Sequence, residues 1–372
     1  MTLEEIKGIL EARNEINDDN LILIKDILSS PDNDFERTQW NDCIYLLSDY
    51  LVARGKHMDN RCFISKAYSS YGMNNPRAYI LKMEMLHKLA LAQIKENAIS
   101  DANLSARSFM YNNIARLFRS DRMVEAEYYS FRGFSDYSLA DIKNETISVA
   151  HPREFNDPMD TLFNLWLELS IKSNDIEDSE REFRMLLKKA AEHIKMRCMI
   201  AASYKDDEGV EHEVKVEDLD SLMWAHYAKS HKGFCVRYKF PRSFFSDFSA
   251  KEDKNILLMA DMNYQNNIRM ELETIPEIGL SLLSKSENWK YERETRLVSY
   301  CSVKSDDGKP SVEKPFPTYD CKDAAKAIYL GVKCSDADKR KMEEAIGDKN
   351  IALYQMCIDT DNYTKLTSKR IG

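Results

Sequence analysis

The sequence predicts an α+β protein with two domains, an all-α domain over residues 1–124 and an α+β domain with a mixed or antiparallel sheet over residues 125–372. Up to residue 124, apolar residues recur at three- and four-residue spacing, which is typical of amphipathic helices. Beyond it, short alternating apolar runs predict more strands than helices. Because strands and helices do not alternate strictly there, a doubly wound sheet is not expected.

The first domain is predicted to consist of helices that pack in pairs, in a repeat-like arrangement. Turn residues separate the helical runs at "SSPDND", "RGKHMDN" and "GMNNP". At the start of the chain, Thr2 and Glu5 have the spacing of a capping box, which predicts a helix beginning there.

The charge distribution is uneven. The chain has a net charge of -9, so nothing in its overall charge favours nucleic acid or an anionic membrane surface. Residues 1–60 are acidic, whereas residues 61–124 are basic. The basic block is interpreted either as a face for a partner or nucleic acid, or as a solvated surface whose charges pair with the acidic block.

Other classes are not favoured by the sequence. It contains no apolar run of the roughly 18–20 residues that a membrane helix needs. The eight cysteines form no CxxC pair and mostly lie in apolar runs, so they predict buried, reduced thiols and no zinc site. We therefore expect a cytoplasmic protein without a membrane span or a bound metal.

The second domain is predicted from its apolar runs. Two helices are expected at "DTLFNLWLELSIKS" and "IPEIGLSLLSKSEN", with another ending near Ile194. Strands are expected at "AEYYSF", "TISVAH", "KMRCMIAASY", "FCVRYKF", "ILLMADMNY", "TRLVSYCSV", "AAKAIYLGV" and "IALYQMCI".

Four segments carry candidate site residues. In the first, "SLMWAHYAKSHKGF", a short helix brings together Trp224, His226, Tyr227 and His231. These rings form either one wall of a catalytic centre or the packed corner between a helix and a strand. Gly233 is predicted to end the helical turn.

The second segment, "EYYSFRGF", places Tyr129 on a strand and Arg132 at its end. An arginine at a strand end suits contact with an anion or a carboxamide, although a surface arginine explains it equally well. The adjacent Gly133 is expected to allow another group to approach the backbone closely.

The third segment, "PREFNDPMD", contains Asn156 and Asp157 in a tight turn. Their side chains can accept hydrogen bonds from the backbone two residues on, so the segment is interpreted as secondary to the site. Asp160 is predicted to cap the helix that follows.

The fourth segment, "NWKYERETRLV", is predicted to place Glu292 and Glu294 on one face of an emerging strand, with Arg296 continuing that face. Arg296 is expected to hold one carboxylate ionised. Paired carboxylates suit general-base chemistry or the stabilisation of an oxocarbenium ion. The alternative interpretation is that these carboxylates form salt bridges along the edge of a strand and have no catalytic role.

Together these segments resemble an uncharacterised bacterial domain family of unknown function. The shared pattern consists of an aromatic-rich first strand, an FNDPxD turn, an MWxHYAxxHxGF block and a WxYExExR segment. In this chain the pattern reads "YYSFR", "FNDPMD", "MWAHYAKSHKGF" and "WKYERETR", and the resemblance runs from about Glu125 to Ile358.

The order of an aromatic-Arg-Gly strand, a central aromatic motif and a late ExE strand is also similar to the ADP-ribosyltransferase superfamily. That resemblance implies an NAD-consuming enzyme, such as a toxin or antiviral effector whose helical domain senses a trigger or holds a partner. It implies that Arg132 and Tyr129 hold the nicotinamide ribose and amide, and that Tyr227 or His226 packs on the nicotinamide.

The same resemblance gives roles to the two glutamates. Glu294 would stabilise the oxocarbenium ion as nicotinamide leaves, and Glu292 would prepare a protein or nucleic-acid acceptor. For this role Arg132, Tyr227 and Glu294 must line one cleft. If they lie on different faces, the transferase hypothesis fails in this form.

Two other functions remain open at this point. The first is a metal-dependent nuclease or phosphodiesterase that uses a set of side chains suited to Mg²⁺ or Mn²⁺, namely Asp157, His226, His231, Glu292 and Glu294. The second is a non-enzymatic protein that binds a ligand or partner, in which the polar motifs are buried networks that fix the fold.

Overall fold

The computed structural model describes residues 1–12, 14–29, 37–69, 76–117, 127–155, 160–205, 208–245, 256–266, 271–300 and 318–372. The predicted domain boundary at residue 124 lies outside these ranges, as do Asn156 and Asp157 of the "PREFNDPMD" turn.

The described residues before 118 are almost entirely helical. The helices are α1 Leu3–Glu11, α2 Asp18–Ser29, α3 Arg37–Val52, α4 His57–Ser69, α5 Pro76–Lys95 and α6 Ile99–Ala115. The predicted capping box is confirmed, because the Thr2 side chain accepts from the Glu5 amide while the Glu5 carboxylate accepts from the Thr2 amide.

The rest of the chain mixes helices with strands. The helices are α7 Asp136–Asn144, α8 Leu162–Ile171, α9 Asp178–Ala191, α10 Ser221–Tyr227, α11 Ile278–Leu282 and α12 Asp336–Ile346, with 3-10 helices at Pro152–Glu154, Val216–Asp218, Arg242–Phe244 and Glu287–Glu292. The strands are β1 Glu127–Arg132, β2 Thr146–Ser148, β3 Ile194–Ala201, β4 Ser203–Lys205, β5 Glu211–Glu213, β6 Phe234–Lys239, β7 Ile256–Asp261, β8 Asn263–Gln265, β9 Ser284–Ser286, β10 Glu294–Tyr300, β11 Thr318–Asp320, β12 Ala325–Leu330, β13 Ala352–Ile358 and β14 Leu366–Arg370.

Within the described ranges, the largest sheet has eight strands in the order β14-β13-β12-β6-β1-β3-β10-β7. Its neighbouring strands run antiparallel, except that β12 and β13 are parallel. Helices before a mixed, mainly antiparallel sheet confirm the predicted α+β class.

The two faces of this sheet are packed differently. On β6, Phe234, Val236 and Tyr238 alternate toward the larger apolar core. Cys235 points to the other face, where a smaller core lies beneath α10 and also includes Tyr129. This second face holds the candidate site.

The N-terminal helices pack against the second part of the chain. The Phe109 ring in α6 meets Phe183 of α9 edge to face at 5.7 Å between ring centroids, and His87 of α5 lies 4.6 Å from the same Phe183 ring. The larger core therefore continues from these helices to the sheet. None of the described helices is long and apolar enough to cross a membrane.

The prediction of a helix over "IPEIGLSLLSKSEN" is wrong for the second half of this segment. Only Ile278–Leu282 is helical, and Ser284–Ser286 forms β9, which pairs in parallel with β8. Pairing with β8 overrides the local helical periodicity of this segment. The consequence is that Lys285 lies on a strand, where its side chain reaches the candidate site.

Candidate functional site

A narrow pocket lies between α10 and the ends of three central strands, with about 330 Å³ of empty space including its mouth. Its lining is mainly apolar and aromatic, with two carboxylates: Tyr129, Phe131, Cys198, Met199, Ile200, Met223, Tyr227, Glu292 and Glu294. A concave apolar pocket with a few convergent polar groups is the usual form of a small-molecule site.

The two glutamates reach the pocket by a backbone kink, and the prediction that both lie on one strand is wrong. Glu292 is the last residue of the 3-10 helix Glu287–Glu292, and β10 begins at Glu294. Between them Arg293 is left-handed, with φ of 47°. The kink nevertheless lets both carboxylates meet one lysine.

Lys285 joins the two carboxylates. Its Nζ lies 2.6 Å from Glu292 Oε2 and 3.2 Å from Glu294 Oε2, and all three side chains are buried. Burial alone would lower the pKa of Lys285, but the charges of Glu294 and Glu292 outweigh it and raise the pKa. The ammonium group therefore stays charged between the glutamates.

Arg296 fixes Glu294 from the other side. Its Nε donates to Glu294 Oε1 at 2.8 Å, and its Nη2 donates to both oxygens of Asp160 at 2.7 Å. The predicted role of Asp160 as a helix cap is wrong, because Thr161 occupies the N-cap position of α8. Asp160 is instead part of a buried charge network.

The pKa values of the two glutamates are shifted in opposite directions. For Glu294, burial would raise the pKa, but the charges of Arg296 and Lys285 lower it to about 2. For Glu292, burial raises the pKa against the opposing hydrogen bond from Lys285. Two neighbouring carboxylates with separated pKa values suit separate acid–base and electrostatic roles.

Tyr227 connects the pocket wall to this network. Its hydroxyl donates to Glu292 Oε1 at 2.5 Å. Helix α10 is positioned by Asp220, whose carboxylate accepts from the Leu222 amide at 2.9 Å, and by the fully buried Trp224, which meets Phe131 edge to face at 4.9 Å. The structure thus places Trp224 in the core.

Neither histidine of this segment lines the pocket. His226 is exposed, with its ring 6.3 Å from that of Trp289. His231 adopts a left-handed backbone in the turn after α10, where its amide donates to the Trp224 carbonyl at 3.0 Å. The polar functions of the pocket therefore come from Tyr227 and the glutamates.

Arg132 does not join Tyr227 and Glu294 in one cleft. The strand register puts Tyr129, Ile200 and Glu294 on one face of the sheet, so Arg132 lies on the other. There its Nη2 lies 2.7 Å from Asp141 Oδ2. Of the residues expected to contact NAD, the structure gathers Tyr129, Tyr227 and the two glutamates.

The close backbone approach in this region occurs at Gly233 and not at Gly133. A Cβ atom on Gly233 would lie 2.1 Å from the Arg132 carbonyl oxygen, whereas one on Gly133 would make only ordinary contacts at 3.6 Å. Gly233 does not end α10, because the C-cap residue of that helix is Ala228. It lets the turn after α10 pass against the end of β1.

No group of side chains suited to a metal ion occurs within the described ranges. The position between Glu292 and Glu294, where a cation could neutralise both, already holds the Lys285 ammonium. Asp157, the other carboxylate of the metal hypothesis, lies outside those ranges.

Comparison with known proteins supports an uncharacterised domain family for one part of the chain. Residues 223–297 match the model of a family described as protein of unknown function (DUF2971). This span contains Tyr227, Lys285 and both glutamates, but not Tyr129 or Arg132. No curated protein and no solved structure matches the chain.

The sequence predicts that Arg296 holds a carboxylate, as it does for Glu294, but it does not predict Lys285 or Asp160 as members of the network. Lys285 lies in a segment with helical periodicity, and no local feature marks it as a strand residue, because β9 forms by pairing with β8. Nothing local marks the pairing of Arg296 with Asp160, since 136 residues separate them. Cys198, at the pocket wall, was identified only as a buried thiol.

Proposed function

We propose that the pocket binds the nicotinamide end of NAD and that the protein is an NAD-consuming, ADP-ribosyltransferase-like enzyme. The observation that carries this proposal is the convergence of Tyr129, Tyr227, Glu292 and Glu294 on one pocket. The separation of the two glutamate pKa values supports it further.

The lining fits a flat cation. The nicotinamide ring of NAD carries a positive charge, which favours aromatic walls such as Tyr129, Phe131 and Tyr227. The empty space of about 330 Å³ includes the open mouth of this narrow pocket, so the proposal requires the side chains of the lining to move apart when the ring enters. The remainder of a dinucleotide would lie outside the pocket.

The buried network supplies negative charge to this cation. Its acids are Asp160, Glu292 and Glu294, and its bases are Lys285 and Arg296, so the ionised network has one excess negative charge. Fixed charge in a site shielded from water stabilises a developing cation more strongly than the same charge in water.

The proposed step breaks the bond between C1′ of the ribose and the ring nitrogen. The bonding electron pair leaves with neutral nicotinamide, and the ribose becomes an oxocarbenium ion. Glu292, which accepts hydrogen bonds from Tyr227 and Lys285, has remaining lone pairs for a ribose hydroxyl or an incoming nucleophile. Transfer is completed when a protein, nucleic-acid or water nucleophile adds to C1′ and loses a proton.

Arg132 does not share a cleft with Tyr227 and Glu294, so the transferase hypothesis fails in the form that the resemblance implies. The present proposal therefore assigns different roles. Glu292 contacts the ligand and accepts the proton of the nucleophile. Glu294, held by Arg296, keeps a fixed negative charge beneath the ring. Arg132, on the opposite sheet face, is given no role in NAD binding.

Calorimetric titration tests the binding step. Wild-type protein should bind NAD, and nicotinamide alone should compete. Tyr227→Phe should weaken binding about tenfold, because Glu292 loses a donor and shifts position. Tyr363→Phe is the control, since Tyr363 is 81% exposed and remote from the pocket. Equal affinity in both variants, or no binding by wild type, contradicts the proposal.

A non-enzymatic protein is the second candidate, and the completeness of the network favours it. Every carboxylate oxygen of Glu292 and Glu294 accepts at least one hydrogen bond, as expected for a network that fixes the fold. In that case Glu292→Gln would lower stability, and wild-type protein would bind neither NAD nor nicotinamide.

A further inference from the structure

A second and larger cavity lies between the N-terminal helices and the rest of the protein. It is a groove with about 1700 Å³ of empty space, part of it open to solvent. Its walls come from α5 and α6, from the start of α9 with the turn before it, and from residues 273–277.

The floor of the groove is apolar. Met83 and Leu91 of α5, Phe109 of α6 and Ile275 line it. At the edge, Ile80 is 51% exposed, although side chains of this kind gain from burial. An apolar floor with a partly exposed isoleucine suits an apolar ligand surface.

The rim of the groove is acidic. The carboxylates of Glu84, Asp175 and Glu273 are exposed at the groove, and within the described ranges none of them has an ion-pair partner. The two basic side chains of the lining are already engaged: Arg116 pairs with Glu277 at 3.1 Å, and His87 contacts Glu180 at 2.7 Å.

The walls of the groove are held by buried contacts. Arg184, which is fully buried in α9, donates from Nη2 to the Glu273 carbonyl at 2.7 Å. Trp166 donates to the Glu271 carbonyl at 3.0 Å. Between α5 and α6, the Tyr79 hydroxyl donates to Asn113 Oδ1 at 2.6 Å. A groove fixed in this way is ready for a ligand without a large rearrangement.

We propose that this groove binds a basic, amphipathic peptide segment of a partner protein. The apolar side of such a segment would cover the floor, and its lysines or arginines would meet the three rim carboxylates. Nucleic acid fits poorly, because its phosphates would face Glu84, Asp175 and Glu273. A small polyamine would satisfy the charges but leave the apolar floor uncovered.

Fluorescence anisotropy tests the proposal with a labelled 15-residue helical peptide of lysine and leucine in amphipathic order. The groove variant combines Glu84→Gln, Asp175→Asn and Glu273→Gln. The control variant removes the same charge at exposed sites elsewhere, through Glu343→Gln, Glu344→Gln and Asp361→Asn. We expect the groove variant to bind at least tenfold more weakly than wild type, and the control variant to bind within twofold.

The apolar contribution is tested separately with Ile80→Ser, which should weaken binding about threefold without altering the charge. Equal loss of affinity in the groove and control variants would show non-specific attraction and overturn the proposal. The proposal would also be overturned if wild-type protein did not bind the peptide. Displacement of the peptide by spermidine, added at the same concentration of positive charge as the peptide, would overturn it as well. None of these results depends on NAD, so the proposal stands or fails independently of the function proposed above.

Discussion

At the residue scale, the site depends on how Glu292 and Glu294 are held. Both carboxylates are buried, yet only Glu294 contacts a guanidinium group, that of Arg296. Glu292 is held by the neutral hydroxyl of Tyr227 and by the shared Lys285 ammonium. This difference in partners, with similar burial, accounts for the opposite directions of their pKa shifts.

Replacing Tyr227 tests the hydrogen bond that positions Glu292. Tyr227→Phe removes one donor from a buried carboxylate, and hydrogen bonds to charged groups contribute roughly 2 kcal/mol. We predict a loss of about 2 kcal/mol in the free energy of unfolding, measured by urea denaturation. A loss no greater than that of Tyr363→Phe would show that the contact has no energetic role.

His151 gives a prediction for pH dependence. Burial, followed by the charge of Lys195, lowers its pKa from 6.5 to about 4. Since the unfolded state then binds more protons than the folded state between pH 4 and 6.5, stability falls as the pH drops through this window. The shift corresponds to a loss of up to about 3 kcal/mol.

The measurement is urea denaturation at several pH values between 4 and 7 for wild type and His151→Gln. We predict a shallower pH dependence for the variant than for wild type. Parallel curves would contradict the assignment to His151.

At the element scale, the sheet positions the site through its register and through one glycine. The turn after α10 passes directly over the end of β1, where Gly233 lies against the Arg132 carbonyl. Because β1 and β6 pair side by side, a side chain at Gly233 would push the turn away from this edge.

Gly233→Ala should therefore cost about 3 kcal/mol or more of stability, since its Cβ meets rigid backbone. The matched control is Gly133→Ala, which we expect to cost less than about 1 kcal/mol because its neighbours lie at ordinary contact distance. Thermal denaturation followed by circular dichroism measures both. Similar melting temperatures for the two variants would contradict this account.

The elements also show what the sequence could predict. The alternation in "FCVRYKF" was sufficient to assign β6 and its two faces, because period-two patterning follows directly from strand geometry. The same reasoning failed at Glu292, where a left-handed Arg293 interrupts the strand. It also could not assign Arg132 to a sheet face relative to Glu294, since that depends on β3 pairing with both β1 and β10.

At the scale of the whole molecule, one apolar core extends from the N-terminal helices to the central sheet. Phe109 of α6 packs on Phe183 of α9, and Arg116 just after α6 pairs with Glu277 just before α11. We therefore expect the two predicted domains to unfold together as one cooperative unit.

Calorimetry tests this continuity. We predict a single cooperative unfolding transition for wild type, and a single transition at lower temperature for Phe109→Ala, because a buried phenylalanine contributes about 3–4 kcal/mol. Two separate transitions, only one of which moves to lower temperature in Phe109→Ala, would contradict this prediction.

The release of nicotinamide from NAD tests the central claim most directly. Wild-type protein, Glu292→Gln and Tyr363→Phe would each be incubated with NAD, and free nicotinamide would be quantified by chromatography. Circular dichroism would establish that each protein is folded. We predict release by wild type and Tyr363→Phe, and release at least a hundredfold slower with folded Glu292→Gln. No release by wild type above the uncatalysed rate, or equal release by Glu292→Gln, would contradict the claim that this pocket cleaves NAD.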